Sequence, residues 1–342
     1  MTTDAAQDSG CGARGLPGRR QLAGMALLGA TGAGAGARAQ SSERYPARPV
    51  KVIVPFAPGG NADASTRIFA DSLSRQFGQS FVVENRGGAG GLIAGTAAAR
   101  AEPDGYTVFG STTGPLISAW QLAGRSPPYT LADFRVAAVL NTSPIFIAVR
   151  QDSPIRAFAD LVRAAAERRG QLRWGHPGNG TTNHVTILQL QRALGAEFVI
   201  AAYRGGGPAA QDLVGGQLDV VAADIPSVMH LIRAGTLRAI AVTSPQRIPP
   251  TPDVPTTAEL GYPQVNSTNF ACFMVPRAAP DAVVERIAEG VRVALADPAV
   301  LRQVEAIGTF PPGMSNAEFA AFLQREAGVY ARLIESGLLR RE

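Results

Sequence analysis

Four short stretches of this chain carry the small and polar residues that let a ligand reach backbone amides: Pro58-Gly59-Gly60, Arg86-Gly87-Gly88-Ala89-Gly90-Gly91, Gly178-Asn179-Gly180-Thr181-Thr182-Asn183-His184 and Gly205-Gly206-Gly207-Pro208. Each follows a short apolar run and precedes a helix-period segment, so each reads as a strand-to-helix turn. The chemistry such turns offer is anion capture. The first N–H groups of a helix have no intrahelical partner and sit at the positive end of its dipole. The first turn is the most informative. Val50-Lys51-Val52-Ile53-Val54 leads into Pro55-Phe56-Ala57-Pro58-Gly59-Gly60-Asn61-Ala62-Asp63, which predicts a buried strand, a tight turn and a helix beginning near Asp63. For any single turn the alternative is a plain turn needing positive φ. Several of them at the C-terminal ends of strands mark the edge where open α/β sheets bind ligands.

Catalytic alternatives find less support. Neither Gly-x-Ser-x-Gly nor His-Glu-x-x-His occurs. Of the three histidines, His176 and His184 flank the third turn and His230 falls on a helical pattern. His184 reads either as a general base or as a helix-face residue donating a hydrogen bond near the turn. Histidines without paired carboxylates or thiols argue against zinc, and neither a metal nor a cofactor is expected. Gly205, Gly207 and Ala210 match a Gly-x-Gly-x-x-Ala dinucleotide pattern with Asp224 following, weakened by the mid-chain position and by Pro208. Asp63 is expected as a helix N-cap with Arg67 in reach at i+4, shaping the loop rather than meeting an anionic ligand. Asp224 ends the run Val220-Val221-Ala222-Ala223. It reads either as a helix cap before Pro226 or as a hydrogen-bond acceptor, direct or through water, for a ligand's distal polar group.

The elements that must position these residues alternate along the chain. Strands are predicted at Val50–Val54, Phe81–Glu84, Thr107–Gly110, Ile145–Val149, Leu172–Gly175, Phe198–Ala202, Leu218–Ala222 and Leu237–Val242. Helical patterns at Ala64–Gln76, Phe158–Arg169, Thr182–Leu194 and Ala209–Val214 separate them, which indicates parallel sheets covered on both faces. The C-terminal region is helical throughout, at Pro280–Ala296, Ala299–Ile307 and Ser315–Ser336, the last opening on a Ser315/Glu318 capping box. About 300 mature residues exceed one core, so two α/β domains are expected. The expected division is 40–143 and 266–342 in lobe 1, with 144–265 as lobe 2.

Residues 1–39 read as an export leader: Arg19-Arg20, a weakly apolar Leu22–Ala37 stretch and a small-x-small site at Ala37-Arg38-Ala39. The twin-arginine route and ordinary secretion both fit, and a disordered Ala/Gly-rich tail is the alternative. The segment is too diluted by glycine for a membrane span. Removing it takes away four Arg and two Asp, so the formal charge falls from +5 to +3. That remaining charge is spread along the chain, which argues against a nucleic-acid surface. Cys11 lies in the leader, leaving Cys272 alone in the apolar run Phe270–Val275 as a buried structural thiol with no disulfide partner.

Taken in order, these pieces resemble the Bug family, the extracytoplasmic solute receptors of tripartite tricarboxylate transporters. The resemblance runs from about Tyr45 to the C-terminus. It is carried by Tyr45-Pro46-Ala47-Arg48-Pro49, Val54-Pro55-Phe56-Ala57-Pro58-Gly59-Gly60 with Asp63, Val82-Val83-Glu84-Asn85-Arg86, Gly88-Ala89-Gly90-Gly91 and Pro103-Asp104-Gly105-Tyr106-Thr107. Gly178-Asn179-Gly180-Thr181 with His184, Tyr203, Pro208-Ala209, Gly215-Gly216-Gln217, Asp253-Val254-Pro255-Thr256 and Asp297-Pro298-Ala299-Val300 continue it. The chain departs from the family at Gly87, where Pro is usual, at Leu92, where Asn is usual, and at Ser111–Leu116, a cleft-facing loop lacking the Asn-Pro element. The resemblance implies a type II periplasmic-binding-protein fold, two α/β lobes closing on a ligand whose carboxylate is pinched by amides of the first and third turns. Phe56, Pro58, Gly59, Gly60, Asn61, Gly180, Thr181, Thr182, His184, Tyr203 and Asp224 are then the expected ligand-binding residues, with Asp63, Gly88 and Gly90 shaping the site. The expected protein is a periplasmic monomer that captures a small organic acid for membrane permease subunits and catalyses nothing. An orphan receptor with a signalling role, or a secreted enzyme using His184 or a dinucleotide at Gly205–Ala210, are the alternatives.

Overall fold

The structure, a computed structural model, describes residues 45–340. The expected leader, with Arg19-Arg20, Cys11 and the cleavage site at Ala39, lies outside the described residues. The first part of the chain forms β1 (Val50–Val54), α1 (Asn61–Phe77), β2 (Phe81–Asn85), α2 (Leu92–Ala99), β3 (Thr107–Thr112) and α3 (Thr113–Leu122). A long strand β4 (Phe134–Arg150) leads to α4 (Phe158–Glu167), β5 (Arg173–His176), α5 (Thr182–Leu194), β6 (Val199–Ala202) and α6 (Gly206–Val214). Then follow β7 (Val220–Asp224), α7 (Ile225–Arg233), β8 (Leu237–Val242), β9 (Thr268–Pro276), α8 (Asp281–Ala296), α9 (Pro298–Ala306) and α10 (Asn316–Glu335).

The strands build two sheets joined through β4. In the first, β2, β1 and β3 are parallel, and β9 continues it antiparallel beside β3. In the second, β6, β5 and β7 are parallel, while β7 and β8 flank β4 antiparallel. Residues Phe134–Pro144 of β4 pair with β9, and Ile145–Arg150 pair with β7 and β8. The expectation of wholly parallel sheets is therefore corrected. The chain leaves the first sheet along β4 and returns along β9, so these two connectors run in opposite directions and pair with each other.

Continuous apolar strands arise because both faces of each sheet are covered. Along β4, Ile145, Ile147 and Val149 face one core cluster while Phe146 and Ala148 face another, the period-2 alternation of a pleated strand. Helix ends follow local chemistry. Gly78 closes α1 in the left-handed conformation, its N–H reaching Ser74 O. Ser315 and Glu318 cap α10 reciprocally, as expected. The periodicity misses α2 and α3, the latter because Gly114 and Pro115 read as loop. Pro115 lies in the first turn of α3, where a missing N–H costs no helical bond.

Trp174 is fully buried in the second-sheet core and stacks on Phe198 with ring centroids 4.9 Å apart. Trp174→Ala should therefore lower the unfolding free energy by about 3–5 kcal/mol, read as a drop in the urea midpoint.

Candidate functional site

Five helices among the described residues begin at one place. The N-cap and first residues of α1 (Gly60, then Asn61 and Ala62), the N-cap of α3 (Thr112), the start of α5 (Thr181, Asn183), the first residue of α6 (Gly206) and the residue before α7 (Asp224) line a single enclosed cavity. Phe56, Pro177 and Asn269 complete the walls. Each strand preceding these helices ends toward the cavity, so the N-terminal N–H groups, each helix contributing about half a positive charge, converge on it. No Lys, Arg or His is among the lining residues, and Asp224 is their only ionisable group. The two halves of the chain are closed on each other, and the space left between them has room for about one water molecule.

The first turn is fixed from behind by Asp63. Its carboxylate, 4% exposed, accepts Gly59 N at 3.0 Å, Arg67 Nε at 3.0 Å and Asn85 Nδ2 at 2.9 Å. Asp63 is thus not the N-cap that its position suggested. Gly60 holds that position with extended φ and ψ, α1 starts at Asn61, and the Asp63 side chain ties the loop down instead. Asn61 accepts Ser65 Oγ at 2.8 Å through Oδ1, while its buried Nδ2 has no hydrogen-bond partner. Ser227 Oγ on α7 is likewise buried and unpartnered, lying against the backbone of Gly60 and Gly206.

The third turn is braced by histidine. Thr181 Oγ1 donates to Gly178 O at 2.7 Å and accepts His184 N at 3.3 Å. His184 Nδ1 accepts Gly180 N at 3.2 Å, and its ring stacks on His176 at 4.4 Å. At this contact Nδ1 is the acceptor, because a backbone N–H can only donate. Burial, and then the neighbouring His184, push His176 down to about 3, which keeps it neutral.

Contacts across the cleft join the turns to one another. Ala57 N donates to Arg204 O at 2.9 Å, and Ser118 Oγ donates to Gly180 O at 2.5 Å. Gly90, at φ 60°, comes so close to the third turn that an added Cβ would lie 2.6 Å from Asn179 O. Gly88 packs under Ile93 in the same second turn. Gly205, at φ 142°, lies with its backbone against Ala57, so the Gly205–Ala210 turn is filled by chain rather than open to a pyrophosphate.

Asp224 occupies the N-cap position of α7 without making a cap bond. Its Oδ1 accepts Asn269 Nδ2 at 3.1 Å, and Asn269 Oδ1 accepts Thr113 N at 3.3 Å, linking the two sheets through one amide. Complete burial raises the Asp224 carboxyl to about 6, with hydrogen bonds from Asn269 and Asn183 tempering the rise.

Of the residues singled out from sequence, Phe56, Gly60, Asn61, Thr181 and Asp224 line the cavity. Pro58, Gly59, Gly180, Thr182, His184 and Tyr203 do not. Gly59, Gly180 and His184 hold the turns from behind, Thr182 is buried in the first turn of α5, and Tyr203 donates its hydroxyl to Asp212 at 2.7 Å. Burial and Asp212 push the Tyr203 phenol up to about 12. Asn269 and Ser227 escaped sequence reasoning. Asn269 is the second residue of β9 and Ser227 sits inside a helix, and no local pattern separates either from a surface polar residue.

A family model described as "Tripartite tricarboxylate transporter family receptor" matches residues 65–338. Protein BugT of Bordetella pertussis is 34% identical over 314 residues, covering 89% of this chain and 95% of BugT. A solved R. palustris protein with adipate superposes with a TM-score of 0.81 at 30% identity, covering 84% of this chain and 97% of that one. MatC from Rhodopseudomonas palustris with bound malate superposes with a TM-score of 0.79 at 28% identity, covering 84% and 99%.

Asp63→Ala leaves Gly59 N–H, Arg67 Nε and Asn85 Nδ2 without this acceptor and should cost about 1–3 kcal/mol of stability, measured by chemical unfolding. Asp224 moves from an ordinary 3.8 to about 6 on folding, so the folded state holds its proton across that window. Its contribution to stability is present below the lower value and is lost as pH rises through the upper one. The melting temperature of Asp224→Asn relative to the native protein should therefore increase between pH 4 and pH 7, as followed by calorimetry.

Proposed function

The chain belongs to the tripartite tricarboxylate transporter receptor family, and on that premise we propose that it captures a small organic acid in the periplasm and delivers it to a membrane permease of that transporter type. Its fold is the two-lobed type II periplasmic-binding-protein fold. The observation that carries the reading is the convergence of five helix N-termini on a cavity lined by no cationic side chain. Such a site stabilises an anion through backbone donors alone. The ligand's first carboxylate is assigned to the amides at the starts of α1 and α5, beside the unpartnered Nδ2 of Asn61.

Residues 40–143 with 266–342, and 144–265, are taken as the two lobes, hinged where Ser143-Pro144 pair with Asn269-Thr268. The closed cavity is smaller than any organic acid, so capture requires these lobes to part and re-close around the ligand. Hydrogen bonds to a charged group contribute about 1.5–3 kcal/mol each, and a micromolar complex needs about 8 kcal/mol. Four amides and the burial of the remaining ligand reach that figure after the entropy of association. Adipate and malate in the two solved relatives support the ligand class. The engagement of His184 with Gly180 N supports capture over turnover. The Arg19-Arg20 leader supports export, and no helix among the described residues is long and apolar enough to cross a membrane.

A thermal-shift screen of the mature protein against organic acids is the direct test. A ligand at about 100 times its dissociation constant should stabilise by about 2.7 kcal/mol; a melt that no carboxylate moves would sink the reading, as would sustained conversion of a bound acid. Asn61→Asp places a negative charge at the start of α1 facing the cavity, and should weaken the best acid at least about tenfold in calorimetric titration.

A further inference from the structure

We propose that the captured acid is a hydroxycarboxylate and that Asp224 selects it by accepting a hydrogen bond from its hydroxyl. This rests on the carboxylate reading above and narrows it. Asp224 lies in the cavity wall, and an ionised carboxylate offers about four acceptor sites, of which Asn269 Nδ2 and the neighbouring Asn183 fill only part. The groups around it come from several elements. Ile145 of β4 is its ladder partner, Asn269 comes from β9, Asn183 from α5, Asn61 from α1, Gly206 from α6 and Ser227 from its own helix, and none is charged.

Three kinds of second group on the ligand fit this place poorly. An ionised carboxylate would sit beside the Asp224 carboxylate in a dry cavity with no cation between them. An un-ionised carboxyl would have to take up a proton, at about a tenfold cost in affinity for each pH unit above its own pKa. An ammonium would lie among the positive ends of five helices. A hydroxyl meets none of these penalties. It donates to Asp224 and has lone pairs for buried donors that lack partners there, among them Asn61 Nδ2 and Ser227 Oγ. The raised carboxyl of Asp224 agrees with a site that resists a second negative charge.

The test is calorimetric titration of the mature protein with matched probes: malate against succinate and aspartate, 2-hydroxyglutarate against 2-oxoglutarate, and lactate against pyruvate. In the native protein at least one hydroxy acid should bind at least about tenfold tighter than its partner, the worth of one hydrogen bond to a charged group. Repeating that titration in buffers of different ionisation enthalpy should show no proton uptake. Asp224→Asn, which can donate as well as accept, should bring the pair within about threefold. Succinate, an oxo acid or aspartate binding as tightly as the hydroxy acid in the native protein overturns the proposal, as does binding with proton uptake or a preference that survives Asp224→Asn. Should that variant fail to fold, the native discrimination and proton count decide alone. Carboxylates that bind without this preference overturn only the role of Asp224, whereas no binding by any carboxylate removes the capture reading and this proposal with it.

Discussion

The opening N–H groups of a helix need an acceptor, and helix geometry supplies none. In this protein that constraint is gathered at one point, where α1, α3, α5, α6 and α7 all begin. Surface helices satisfy such groups with water or a capping side chain. Here the ends face one another across a closed cleft, where only Thr181 caps by accepting a backbone N–H within its own helix. The result is a positive site made of backbone, with no lysine or arginine whose flexible chain would have to be ordered. Lys51, the only lysine in the sequence, is on a strand away from the cavity.

Keeping that arrangement needs rigid turns, and buried polar side chains behind them provide the rigidity. Asp63 ties Gly59, Arg67 and Asn85 into one cluster. His184, stacked on His176, fixes Gly180. Asn269 bridges Asp224 on one sheet to Thr113 N at the edge of the other. Asp63 and Asn269 are polar and buried because each is paired; an unpaired polar group would cost the protein its desolvation. Asn61 Nδ2, Asn183 Oδ1 and Ser227 Oγ are among the buried groups that depart from this pattern, and they lie beside the cavity.

The join between the sheets is also polar. Asn141 donates to Ser65 Oγ at 2.6 Å and to Thr309 Oγ1 at 3.0 Å, and Thr243 Oγ1 donates to Ser267 O at 2.5 Å while accepting Ile145 N. Apolar packing resumes on either side, and Val185 of α5 joins the cluster beneath the first sheet.

The strands and most helices were legible from sequence because a both-faces-buried strand and an amphipathic helix write their periods into consecutive residues. Thr182–Leu194 is such a helix, and its bounds coincide with α5. The Pro58-Gly59-Gly60 and Gly178–Thr181 turns were legible for a similar reason, since close backbone approach demands glycine locally. Helix α3 was not, because Gly114 and Pro115 suit a loop and a first helical turn equally. What the sequence determined by itself was the set of elements and the presence of turns able to bind an anion. Which side chains line the cavity was decided by tertiary structure. Asp63 and His184 turned to support the turns, while Asn269 and Ser227 arrived from distant segments. Their roles depend on how the two sheets close, and that register is stored in long-range pairing between β4 and β9 rather than in any local run of residues.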